Sequence, residues 1–111
     1  MSELDDLKRS LYGFLRQRVP GLLELLNIYC MTSYSSDCLS LLFKSPSRVY
    51  QVLLMHYRGD MVSADYAFTL VFAGGIAQLL GRYELASQLL ELAKTGRDSE
   101  FIQLVLKCLK G

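Results

Sequence analysis

A chain of 111 residues that is 51% hydrophobic and 21% charged, with only two prolines, has the size and apolar content of one folded domain rather than of a disordered or collagen-like segment. Twelve basic residues against eleven acidic ones leave a formal charge of +1, which argues against the strong positive field of a dedicated nucleic-acid binder. Three widely spaced cysteines, an odd number, and an N-terminal MSELDDLKRS without an apolar signal-peptide core point to free thiols in a reducing cytoplasm.

The first element is an amphipathic helix, about Ser2 to Arg18. Ser2 is its cap, Asp5 stands three residues on, and Leu4, Leu7, Leu11, Phe14 and Leu15 recur at helical spacing. Lys8, Arg9, Arg16 and Arg18 give this helix a local basic character that Glu3, Asp5 and Asp6 partly cancel. Pro20 ends or restarts it, because proline fits a first helical turn and disrupts an interior. A short, very apolar second helix follows through Leu22, Leu23, Leu25, Leu26, Ile28 and Tyr29.

The stretch IYCMTSYSSDC then sets two cysteines around a run of hydroxyls, before the apolar Leu39, Leu41, Leu42 and Phe43. Such a cluster suits a phosphate, a metal or a nucleophile, but it also suits a connector in which Ser35 or Ser36 caps the next helix and Asp37 adds favourable charge. KSPSRVYQVLLMHYRGD repeats that grammar. Ser45 caps, Pro46 takes the first helical position, Val49, Tyr50, Leu53, Leu54 and Tyr57 share a face, and Gly59 ends the helix.

A longer helix is expected from Ser63 through ADYAFTLVFAGGIAQLL, apolar almost all round and therefore central. Its uncharged part, Tyr66 to Gly81, is shorter than a membrane span needs. Gly74 and Gly75 within it mark a close helix crossing, a kink or a break. The rest reads as a helical hairpin: Tyr83, Leu85, Ala86, Leu89, Leu90 and Ala93 line one helix, Gly96 stops it, Asp98 caps the next, and Phe101, Ile102, Val105, Leu106 and Leu109 form the last stripe. The start of this hairpin superficially resembles one helix of a tetratricopeptide-type repeat. No second copy stands at the period of about 34 residues that such arrays need, so no family follows. The expected fold is an all-α, compact single-domain bundle of about five to seven short helices ending in that hairpin.

The catalytic inventory is poor. His56 is the single histidine, so any Ser-His-Asp or Cys-His system has to use it, with Cys30, Cys38, Ser35, Asp60 or Asp65 as companions. Its place near a helix C-terminus gives it a structural role without further assumptions. Cys30, Cys38, Cys108 and His56 together offer enough ligands for zinc, yet seven residues separate the closest pair where metal pairs stand two to four apart. Gly74-Gly75 lacks the lysine and spacing of a phosphate loop. No catalytic, cofactor or metal residue is assigned.

Seven tyrosines without a tryptophan direct attention to surfaces instead. Tyr50 and Tyr57 stand one heptad apart with Arg48 and Arg58 near them, a Tyr and Arg set typical of interface hot spots, although the same rings also suit a core with hydroxyls at its rim. The reading favoured by the sequence is a non-enzymatic cytoplasmic module that self-associates or docks a protein partner. Next come a small-ligand or sensor domain whose pocket is lined by Tyr34, Ser35, Ser36 and His56, then an enzyme, then a nucleic-acid adaptor resting on the basic residues of the first helix.

Overall fold

The computed structural model describes residues 3–110 and contains no strand among them. Seven helices follow one another: α1 Glu3–Arg18, α2 Pro20–Tyr34, α3 Cys38–Leu42, α4 Pro46–His56, α5 Met61–Leu80, α6 Leu85–Lys94 and α7 Asp98–Lys110. The all-α bundle and its closing α6–α7 hairpin are therefore as expected, while the proposed Ser2 cap lies outside the described residues. The radius of gyration of 12.7 Å matches the roughly 13 Å of a compact domain of about 100 residues.

The leucine row of α1 buries Leu7, Leu11 and Leu15. They meet Leu26 of α2, Val49 and Leu53 of α4, Phe68, Phe72 and Ile76 of α5, Leu89 of α6 and Phe101 of α7 in one apolar core. No charged or polar residue is buried among the described residues. Hydrophobic burial thus dominates the interior, and polar side chains work at its edges.

Those edges differ from the sequence reading in three places. Asp37, not Ser35 or Ser36, caps α3: its carboxylate accepts from the Ser40 amide at 3.1 Å. Ser35 instead closes α2 in the left-handed conformation, φ 55°. Burial alone would raise the Asp37 carboxyl, but hydrogen bonds from Ser40 hold it below the usual range. Asp60 caps α5, accepting from Val62 N–H at 3.1 Å and from the Ser63 hydroxyl at 2.8 Å, so the helix begins at Met61 rather than at Ser63. Asp98, besides opening α7, caps α4 from 51 residues away, accepting the Ser47 amide at 2.9 Å and the Ser45 hydroxyl at 2.7 Å. Ser45 sits at the cap position of α4 yet caps nothing with its own side chain.

The cysteines differ as well. Cys30 and Cys38 form a disulfide between the end of α2 and the start of α3, both fully buried with Cα atoms 5.4 Å apart, and Cys108 is free. The Asn27 side chain also accepts the Cys38 amide at 2.9 Å, so α3, only five residues long, is anchored at its first residue. The cytoplasmic expectation loses the support it took from unpaired thiols.

α5 is the spine. A π-turn, Phe68–Ala73, interrupts its α-helical geometry without breaking the helix. At Gly74 a Cβ would lie 2.5 Å from the Thr69 carbonyl oxygen, which is the acceptor of the Gly74 amide; the wide turn therefore needs glycine there. At Gly75 a Cβ would lie 2.7 Å from Leu11 Cδ1, so that glycine admits α1. One glycine serves the turn and the other serves the crossing. Because Met61–Leu80 is one helix of 20 residues, it is by length and composition long and apolar enough to cross a membrane, although 44% of its apolar window is buried inside the protein.

Candidate interaction face

α5 is apolar on both sides. Its inner side, with Ala64, Ala67, Phe68, Val71, Phe72, Gly75, Ile76 and Ala77, is buried where α1, α4 and α6 pack on it. Its outer side carries Val62, Tyr66 and Leu70 at four-residue spacing, 79%, 58% and 64% exposed. That spacing is the ridge along which a helix side chain stacks on its neighbour one turn away. Two flanking hollows run along it. One, of about 380 Å³, reaches Leu22 of α2 and Tyr57; the other, of about 370 Å³, reaches Leu90 of α6. A third, of about 420 Å³, opens beyond Leu70 where Gly74 has no side chain, between Phe14, Arg18 and Val19 on one bank and Gln78 and Tyr83 on the other.

Asp65 is the sole acidic or basic residue of α5, and the fold pairs its charge. Lys94 Nζ donates to one oxygen at 2.7 Å and the Tyr50 hydroxyl to the other at 2.5 Å, with Lys94 and Asp65 partly exposed and the Tyr50 ring buried beneath them. Burial opposes the Asp65 charge, but the bonds from Lys94 and Tyr50 win and hold its carboxyl below the ordinary range. Burial first, then the neighbouring carboxylate, pushes the Tyr50 phenol well above its ordinary value. The outer face thus has no uncompensated charge from its own helix.

The residues singled out from sequence fall in separate places. Tyr50 is only 2% exposed, so it belongs to the core and not to a surface with Tyr57. Arg48 lies over the Tyr34 ring at 5.2 Å. Tyr57 is half-buried and lines the hollow beside Val62 and Tyr66, while Arg58 is exposed in a left-handed turn, φ 56°. The proposed ligand loop is divided too. α2 and α4 run antiparallel, so Tyr34 meets Arg48 at the start of α4 whereas His56 meets Tyr29 at its end, eight residues or about 12 Å further along the helix. Ser35 is exposed, and the Ser36 hydroxyl donates to the Asp37 carbonyl at 3.1 Å.

His56 itself stands edge-on to Tyr29 and Tyr57, with ring centroids 5.4 and 4.7 Å away, and its Nδ1 is buried without a hydrogen-bond partner. No acid, serine or cysteine reaches it in the manner of a catalytic triad among the hydrogen bonds of the described residues. Asp60 and Asp65 are committed to separate structural bonds. No group of three or more His, Cys, Asp or Glu is placed to share a metal ion among the described residues.

The face that the structure does present, Val62, Tyr66 and Leu70, escaped sequence reasoning. Its signal was available: a helix apolar all round in so small a domain cannot bury every side. Comparison with protein-family models, with curated proteins and with solved structures finds no match for the chain.

Proposed function

We propose that this protein is a non-enzymatic helical interaction module that presents the outer face of α5 to another polypeptide. The observation that carries this reading is the uncharged, exposed Val62–Tyr66–Leu70 ridge with a hollow on either flank. A folded chain gains nothing by holding three large apolar side chains in water on one row, and contiguous apolar relief of this kind marks association surfaces. Tyr66 is the type of residue that anchors such contacts.

The test is to place a photo-crosslinking amino acid at position 70 in the source cells, with position 103 on α7, also exposed, as the control. The reading predicts a discrete polypeptide adduct from position 70 and none from position 103. Absence of any polypeptide adduct specific to position 70 contradicts it.

A further inference from the structure

We infer that the occupant of the α5 face is a second copy of this chain, the two related by a two-fold axis that crosses α5 near the π-turn. The inference rests on the interaction reading above and names its partner. A two-fold interface requires one patch to carry both a shape and its complement, since each residue pair then occurs twice. This face does so. The ridge occupies the N-terminal half of the exposed row and the notch above Gly74 lies one turn beyond Leu70. Reversing one helix against the other brings Leu70 of each copy over the Gly74 notch of its mate, and Tyr66 over Gln78. Ridges of four-residue spacing interlocking in this way are the commonest helix packing in globular proteins.

Charge points the same way. Like-charge contact is the usual obstacle to self-association, and here the ridge itself carries no free charge, Arg18 at the notch apart: Asp65 is held by Lys94 at 2.7 Å, and the whole chain carries only +1. Arg18, at the bank of the notch, already lies over the Phe14 ring at 4.3 Å, and the reversed arrangement brings the Tyr66 ring of the second copy to its open side. A partner recognised by charge would need a fixed counter-charge on the ridge, and Val62, Tyr66 and Leu70 supply none. Three of the eleven large apolar side chains exposed among the described residues, Val62, Tyr66 and Leu70, lie on this one row of α5.

The experiment is sedimentation equilibrium of the purified full chain over a wide concentration range, with Leu70→Asp and Tyr66→Ser as variants and far-ultraviolet melting to confirm that each is folded. It is paired with a short bismaleimide cross-link of Leu70→Cys in a Cys108→Ser chain, with Gln103→Cys as the control. A dimer is expected, weakened by roughly 30-fold or more in Leu70→Asp, the effect of one interface hot spot. Position 70 should cross-link to itself and position 103 should not. A dimer that ignores both variants and fails to cross-link at position 70 overturns this geometry. A chain that stays monomeric at every concentration overturns the second copy as occupant; a foreign-protein adduct in the cellular test then leaves the interaction reading standing alone. Flotation of the monomer with phosphatidylcholine vesicles, abolished by Leu70→Asp, overturns it in favour of a lipid surface.

Discussion

The two sides of α5 have nearly the same chemistry and opposite fates. Phe68, Phe72 and Ile76 on the inner side are fully buried among α1, α4, α6 and α7, whereas Val62, Tyr66 and Leu70 on the outer side remain more than half exposed. Hydrophobicity therefore does not by itself tell which residues hold the monomer together. What distinguishes the sides is the relief opposite them: small residues, Ala64, Ala67, Gly75 and Ala77, let neighbouring helices approach the inner side, and nothing in the described chain lies over the outer ridge. The inner side is accounted for by folding, and the outer side is left in solvent by the described chain.

The contrast can be broken most forcefully from within. Phe72→Ala empties a fully buried site and is expected to cost about 3–5 kcal/mol in chemical denaturation; a loss as small as that of a surface change would dissolve the distinction. Replacing both Cys30 and Cys38 by Ala removes a staple distant from the ridge, with an expected loss of roughly 2–3 kcal/mol and unchanged association if the two functions are separate. Gly74→Ala sets a methyl against the Thr69 carbonyl and is expected to cost about 1–3 kcal/mol as the π-turn gives way.

At the border between the sides, Asp65→Ala leaves Lys94 and the Tyr50 hydroxyl unpaired, for an expected loss of about 1–3 kcal/mol at neutral pH. Its pH signature is two-sided. The Asp65 carboxyl is depressed by folding, so its contribution is complete above the unfolded carboxyl value near 4 and disappears as pH falls through the folded value. The Tyr50 phenol is raised by folding, so its contribution is complete below the unfolded value near 10 and disappears as pH rises through the folded value. Denaturation as a function of pH should show both limbs in the native chain; Asp65→Ala should remove the acid limb and only lessen the alkaline one, because burial of the Tyr50 ring persists. The smallest effect belongs to Leu70→Asp, expected to change the monomer's stability by no more than about 0.5 kcal/mol.

Much of the fold was legible because its signals are local. Ser45-Pro46 and Gly59 bracket α4, the Leu7, Leu11, Leu15 row defines α1, and Gly96 separates the final hairpin. Signals that depend on distant partners were not. The Cys30–Cys38 pair needs the end of α2 and the start of α3 to turn toward each other, which a spacing of eight does not decide. The Asp98 cap on α4 joins helices 51 residues apart. For Tyr50 a surface place and a core place with its hydroxyl at the rim both stood open, because periodicity shows which residues share a face and not which face meets the core; the second is what the structure has. For the same reason the sequence drew attention to α4 when the uncovered ridge lies on α5.

The central claim is that α5's inner side supports the monomer and its outer side supports association. It is tested most directly by the melting temperature of the native chain and of Leu70→Asp measured over a hundredfold range of protein concentration. Folding coupled to assembly makes the midpoint rise with concentration. The account predicts such a rise for the native chain and a concentration-independent midpoint for Leu70→Asp. Equal, concentration-independent midpoints for both would contradict it.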